Sequence, residues 1–561
     1  MKNGVSTIDF ETTSIEARPD FPPTPVGVAI RLPGRKQRYY AFGHPSENSC
    51  SKEDAARALR EAVKHPVLMH NSKFDLDVLE EAFGITPKCG FHDTMFLAFL
   101  FNPHAPSHSL KPFAESVLGI KPDERDAVRS WLFEFVPEAR RKKKNWGAYI
   151  SRAPGKLVGQ YSIGDIDRTE KLYDFLLPKI TEAGMLPAYE RELALTPILL
   201  ANEREGIRID ATRLVKDRRL AEHDLETTDR WIRAELRAKP DLNIDSNDDL
   251  ADALEYAGKV KKWIATATGQ RSTSKENMLE VLEDRALAFA LMYRAKIAYS
   301  ISSFMRPWLD QADRTGGRIH TQWNQVKGRN EQGGFGAKTG RLSSSPNLQN
   351  VTRKPIPLVV YGKPADGVAG YHYLPLPASL LRRLKLRDPD GRPMLPHLRS
   401  YILPDKGGML IDSDFSGQEM RILAHFEQGP LMREYIAEPR LDVHNRIRDM
   451  IKAKTGVELQ RTAVKAISFS SLYGAGIAKL AKQLGCDEKA AKQLKDAYHA
   501  ALPGIKVLDM KNKVEGAVTT WGGRYVKAEE GVVDADGNPR DLRWRPRWWR
   551  TIVQRKMDAC F

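Results

Sequence analysis

The sequence predicts a multidomain chain of mixed class, an α/β unit followed by α+β units, and three observations carry that expectation. At 561 residues the chain is long enough to bury several separate cores. Residues 1 to about 185 alternate short β-prone runs with helical periods, whereas from Leu186 to about Arg306 the period is helical, with long charged stretches such as RLVKDRRLAEHDLETTDRWIRAEL. In two places far apart, at Asp9 and at Asp414, an apolar run ends in acidic residues, which is how a buried strand delivers carboxylates to a site.

In the first unit, VSTIDFETTS places Asp9 and Glu11 two residues apart, so strand alternation puts both carboxylates on one face. VLMHNSKFDLDVL follows as an apolar strand with Asn71, Phe74 and Asp75 at a helix start. In GQYSIGDIDRTEKLY, Tyr161 and Asp165 stand four apart and share a helix face. Asp93, in FHDTMF between these clusters, is read as structural. The helical stretch that follows includes RSTSKENMLEVL, where Ser274 is the expected N-cap of a helix holding Glu276 and Met278.

The second unit of interest begins with TGRLSSSPNLQN, a loop by its Gly, Ser, Pro and Asn content, containing Arg341, Gln349 and Asn350. LIDSDFSGQEMRILAHF then predicts a buried strand delivering Asp414 and a helix carrying Glu419 and Arg421. LDVHN supplies Asp442 and His444. RTAVKAISFSSLYG sets Arg461, Lys465, Phe469 and Tyr473 at intervals of four, a slowly drifting stripe on one helix face. Two cations with a bulky ring and a phenol suit a nucleoside triphosphate; by themselves they also suit a surface helix with solvated cations and core rings.

Taken together and in order, these segments resemble motifs A and B, and their flanking segments, of family A DNA polymerases, the DNA polymerase I type. The resemblance implies that Asp414 binds both catalytic magnesium ions and that Glu419 closes against the sugar 2′ position and excludes ribonucleotides. It implies that Arg461, Lys465 and His444 hold the triphosphate, with Phe469 over the incoming sugar and Tyr473 near the templating position. Arg341, at the primer-end minor groove, and Gln349, Asn350 and Arg421 would contact DNA. The N-terminal set Asp9, Glu11, Asp75, Tyr161 and Asp165 resembles the proofreading 3′–5′ exonuclease domain of the same polymerases, which is ribonuclease H-like. Its four acids would hold two divalent metals, and Tyr161 would orient the attacking water. Implied cofactors are two Mg2+ per active site, with Mn2+ able to substitute. Implied partners are primer-template DNA, single-stranded 3′ ends and deoxynucleoside triphosphates. The expected right-hand division is exonuclease 1–185, thumb 186–310, first part of the palm 311–422, fingers 423–530, and an atypical tail 531–561.

Composition agrees with a polyanionic partner: the formal net charge is +16. The densest basic block, Arg140 to Trp146, is a solvated loop or a guide for single strands. Four scattered cysteines form no CxxC pair, which argues against a zinc site or a disulfide framework. No apolar stretch reaches membrane-spanning length, and a cytoplasmic location is expected, in the host cytoplasm if the chain is phage-encoded. No 5′-nuclease domain is expected before the exonuclease, a layout like that of phage-type enzymes. The Pro- and Gly-rich segment 353–399 reads as a surface insertion. Nothing after Tyr473 matches the His-Asp-Glu hairpin, the third motif of the family, and the sequence instead ends in RDLRWRPRWWRTIVQRKMDACF. A second polypeptide completing the palm, an interrupted reading frame and a true truncation each account for that. The expectation is therefore a proofreading family A polymerase that polymerises poorly or not at all by itself; the alternatives are a stand-alone exonuclease with a DNA-gripping remnant, one subunit of a split polymerase, and a non-catalytic primer-template binder.

Overall fold

A computed structural model of the protein describes residues 4–505, except 267–268, 327, 331–332, 336, 338, 353, 364–372 and 473–474, together with 517–520 and 523–527. Tyr473 and the tail 531–561 lie outside the described residues.

Strands β1 (Ser6–Thr12), β2 (Pro25–Arg31), β3 (Arg38–Ala41), β4 (Val67–Met69) and β5 (Phe91–Asp93) form one mixed sheet in the order β3-β2-β1-β4-β5. The pairs β1/β2 and β2/β3 are antiparallel, and β1/β4 and β4/β5 are parallel. Helices α1 (Lys52–Ala62), α2 (Ser72–Phe83), α3 (Thr94–Phe101), α4 (Leu110–Leu118), α5 (Asp123–Phe135), α6 (Pro137–Arg141) and α7 (Gly155–Glu182) surround it. The central strand β1 is used on both faces. Ile8 and Phe10 are buried against Leu59 and Ala62 of α1 and Leu76 and Leu79 of α2. The opposite face, carrying Thr7, Asp9 and Glu11, meets α7, where Thr7 Oγ1 donates to Glu170 at 2.7 Å. Across from Glu11 the partner in β2 is Gly27. A side chain there would collide with Tyr39, whose hydroxyl lies 2.0 Å from the position a Cβ would take. The glycine thus lets an aromatic ring cross beside the carboxylates.

Helix α8 (Leu186–Glu205) opens the next stretch, yet it packs on the first unit. Tyr189 is buried with Phe96 and Phe99 of α3. Arg204 pairs with Asp77 at 2.7 Å and Glu80 at 2.6 Å on α2. A boundary at residue 186 therefore cuts through a shared core, because the apolar face of α8 is matched to α3 rather than to the helices after it. Those are α9 (Ala211–Glu235), α10 (Asn247–Tyr256), α11 (Lys275–Val281), α12 (Arg285–Ser300) and α13 (Arg306–Ala312), gathered around Trp308, Tyr293 and Phe304. Ser274 caps α11 by accepting from the Asn277 N–H at 3.3 Å.

Two expectations are corrected here. The described part of segment 353–399 is not confined to the surface. Its described residues Leu358, Leu376, Leu380, Leu386 and Leu398 are buried in the core of α9 and α12, with α14 (Ala378–Leu381) among them. Buried Asp224 of α9 accepts from the Lys385 and Leu386 amides at 2.7 and 2.9 Å, which fastens the segment. Proline and glycine frequency signalled its irregular backbone and hid the spaced leucines. Second, the run before Asp414 is not a buried strand. Residues 407–415 form no strand pairing among the described residues, and Met409, Leu410, Ile411 and Phe415 are exposed. A strand is stable only when neighbouring strands take up its amides and carbonyls, and apolar character alone does not supply them.

The last unit holds α15 (Gln418–Glu427), α16 (Pro430–Ala437), α17 (Val443–Thr455), α18 (Arg461–Leu472), α19 (Ile477–Leu484) and α20 (Glu488–Ala501). Met420, Ile447, Val464, Ile467 and Tyr498 form their common core. In the loop expected over 339–350, Ser343–Ser345 instead pairs as a short strand with Gln322–Asn324.

Candidate functional site

The N-terminal acids converge as their spacing predicts. Oxygen atoms of Asp9 and Glu11 on β1 and Asp165 on α7 all lie within 4.8 Å of one another. Asp75, in the first turn of α2, stands beside them and accepts from the Phe10 N–H at 3.3 Å. Ser162, one residue past Tyr161 on α7, donates to Asp9 at 2.9 Å. Glu11, Asp75 and Asp165 are buried and Asp9 is half-buried. Burial, then the neighbouring Asp165, pushes the Asp9 carboxyl up from 3.8 to about 7, against Lys111 and Ser162. Burial and the adjacent acids likewise raise Glu11 and Asp75 well above the usual carboxylate range. Burial also raises the Tyr161 phenol, with Asp165 as the next cause, so the group stays neutral at ordinary pH.

Asp93 serves as scaffold, as read. Its carboxylate accepts from the Asn71 amide at 3.1 Å, the Ser72 amide and hydroxyl at 2.7 Å each, and the Met95 amide at 2.7 Å. It therefore caps the starts of both α2 and α3, and α2 carries Asp75. Lys111 on α4 is the main residue that sequence reasoning missed. Its ammonium bonds both oxygens of Asp165 and lies 3.7 Å from the centre of the Tyr161 ring. A single lysine in HSLKPFA carries no local signal of such a role, because only the docking of α4 on α7 brings it there.

A four-carboxylate, all-oxygen donor set suits hard divalent cations, and mutual repulsion of the acids favours a cation between them. The residues present therefore fit a metal site.

In the second half, one cleft of about 1010 Å³ gathers Arg341, Gln349, Asp414, Glu419, His444, Arg461, Lys465 and Phe469. Residues more than one hundred positions apart thus meet, with Asp414 exposed and His444 buried. Arg461, Lys465 and Phe469 share a face of α18, and the Lys465 ammonium is 5.9 Å from the Phe469 ring centre. The His444 ring lies 6.1 Å from that of Phe469. Burial and the Arg461 charge lower the His444 pKa, so this imidazole is neutral at pH 7. Asp442 does two things: it caps α17, accepting from the His444 and Asn445 amides at 3.1 Å each, and it pairs with Arg461 at 2.9 Å. Among the described residues, two predicted ones do not line the cleft. Arg421 turns to the Ser416 carbonyl at 2.8 Å and over the Tyr435 ring, and the Asn350 amide donates to Asn347 in a local turn.

The sequence model of DNA polymerase family A matches residues 213–538, more than half of the chain. The chain belongs to DNA polymerase family A. A 3′–5′ exonuclease model matches residues 8–181 of this family A chain, the part that holds the N-terminal acids. DNA polymerase I of Pseudomonas aeruginosa is 27% identical over 527 residues, covering 91% of this chain and 50% of that protein. DNA polymerase DpoZ of Salmonella phage PMBT28 is 25% identical over 566 residues, covering 94% of the chain and 82% of the relative. The chain thus spans about half the length of its bacterial relatives and more of the phage one. The fold matches, at TM-score 0.70 and 18% identity, that of the POL domain of Pol1 from M. smegmatis, solved in complex with DNA primer-template and dNTP; the match covers 99% of this chain and 82% of that one. Members with these two domains generally use divalent metals. Among the described residues no helix is long and apolar enough to cross a membrane.

Proposed function

We propose that this family A chain is a DNA polymerase of replication whose N-terminal site removes nucleotides from DNA 3′ ends, and whose second cleft binds primer-template and a deoxynucleoside triphosphate. The convergence of Asp9, Glu11 and Asp165 beside Asp75 carries the exonuclease reading. Asp9, Glu11, Asp75 and Asp165 would hold two Mg2+ ions, or Mn2+, which when bound supply an activated water and neutralise charge at the leaving 3′ oxygen. Tyr161, neutral and anchored on α7, is suited to donate a hydrogen bond that orients the water. Ser162 fixes one oxygen of Asp9, and Asp93 fixes the helix that presents Asp75.

In the second cleft, Arg461 and Lys465 offer positive charge to a triphosphate, and His444 offers a neutral imidazole beside them. Phe469 offers a flat apolar surface to the sugar. Glu419 at the start of α15 would monitor the 2′ position, Asp414 would hold metal, Arg341 would meet the primer end and Gln349 would contact DNA; their shared cleft supports this reading. Tyr473 near the template, and Asn350 and Arg421 on DNA, are part of the same proposal. Polymerisation demands closely fixed geometry around Asp414, and the exposure of Asp414 and of the apolar residues before it favours a slow polymerase beside a competent nuclease. A cytoplasmic setting is proposed with this function.

The test is a 5′-labelled primer on a longer template, incubated with Mg2+ with and without deoxynucleotides. Shortening without nucleotides that Asp9→Ala abolishes is expected. No shortening refutes the exonuclease reading, and rapid Asp414-dependent extension refutes the slow-polymerase reading.

A further inference from the structure

The acidic cluster raises a question of charge. Three carboxylates within 4.8 Å of one another, with a fourth alongside, repel strongly in a mostly buried setting. Among the described residues, two cations reach them. Arg168 comes within 3.7 Å of Asp165 but is engaged by Glu124 and the Lys121 carbonyl, each at 2.9 Å. Lys111 instead spends its ammonium on the cluster. It bonds both Asp165 oxygens, and its side chain is only 10% exposed. The face of the Tyr161 ring, 3.7 Å away, gives the same charge a second favourable contact.

We propose that Lys111 is a displaceable resident cation of the exonuclease site: it holds the carboxylates together before metal binds, and it must release Asp165 for a divalent ion to bind there. The inference rests on the exonuclease reading above. Its physical basis is competition. With both Asp165 oxygens bonded to one ammonium, a metal can gain this ligand only as the lysine leaves. The four-carbon stem permits that movement, and the ring of Tyr161 offers the departing charge a place to remain. Lys111 is thus a positioning residue, and its stabilising role belongs to the metal-free protein alone. An ordinary structural ion pair would matter equally with and without metal.

The full chain is compared with Lys111→Met and Lys111→Arg at pH 8, first in EDTA and then in saturating Mn2+. Melting of the exonuclease unit and Mn2+ binding, followed by electron paramagnetic resonance of the free ion, are the readouts. In EDTA, Lys111→Met should melt lower by about 4 °C or more, as loss of one partner of a buried pair predicts. In Mn2+ the difference should vanish, and the weaker Mn2+ dissociation constant should tighten about fivefold once the competitor is gone. Lys111→Arg should resemble the parent in EDTA. If Lys111→Met does not fold in EDTA, refolding in Mn2+ should recover it, and the double variant Lys111→Met/Asp165→Asn should fold in EDTA. An equal loss of melting temperature in both conditions, or Mn2+ binding that is unchanged or weaker, overturns the proposal while leaving the exonuclease reading intact. A parent chain that binds no Mn2+ and shortens no labelled strand overturns both.

Discussion

Replacing Asp93 with alanine should unfasten the exonuclease site without touching any residue proposed to hold metal. Asp93 is fully buried and accepts four hydrogen bonds, from the Asn71 and Ser72 amides, the Ser72 hydroxyl and the Met95 amide. Asn71, the residue before α2, makes no side-chain cap of its own and has left-handed backbone, φ 69. Asp93 therefore supplies the caps of two helices at once. Losing a cap costs about 0.5–2 kcal/mol, and a buried donor left unsatisfied costs about 1–3 kcal/mol. Because the losses overlap on the same amides, the net expectation for Asp93→Ala is about 3–5 kcal/mol. Asp93→Asn keeps one acceptor oxygen and should lose roughly half of that. Chemical denaturation of the exonuclease unit measures the loss. Because α2 carries Asp75, single-strand degradation should fall in the same order, while nucleotide binding in the second cleft stays at the parent value. A loss under about 1 kcal/mol, or equal losses for the two variants, would refute the account of Asp93 as a double cap.

Two further outcomes follow from the same structure. Burial and Asp165 raise the Asp9 carboxyl from 3.8 to about 7 in the metal-free protein. Its stabilising contribution is therefore complete below about pH 4 and is lost as pH rises through about 7. Relative to Asp9→Asn, the parent in EDTA should lose melting temperature between pH 5 and pH 8, and Mn2+, by keeping the acids ionised, should remove the trend; a parent that gains on Asp9→Asn over this range contradicts the sign. In the second cleft, Asp442→Ala removes the cap of α17, at about 1 kcal/mol, and frees Arg461 from its partner. Triphosphate affinity, measured by calorimetry, should then rise about threefold through the more positive cleft, and a fall would mean that Asp442 holds Arg461 in its binding position.

The sequence determined a good deal alone. Strand alternation at Asp9 and Glu11, the four-residue interval of Tyr161 and Asp165, and the stripe of Arg461, Lys465 and Phe469 are local periodicities. They survive folding because each is set by one element's own geometry. The cap at Ser274 was legible for the same reason, whereas the hold of Asp93 on α2 depends on β5 lying beside the start of that helix. Other features depended on which elements dock. Lys111 became part of the acidic cluster only when α4 met α7, and Asp442 became the partner of Arg461 only when α17 met α18. The leucines of 353–399 looked like loop punctuation until α9 and α12 gave them a core. The apolar run before Asp414 has the pattern of a strand, yet a strand needs neighbours for its hydrogen bonds, and no local pattern states whether they are there. Periodicity fixes which side chains share a face; what that face meets is a long-range fact, decided by packing and by the charges that packing brings together.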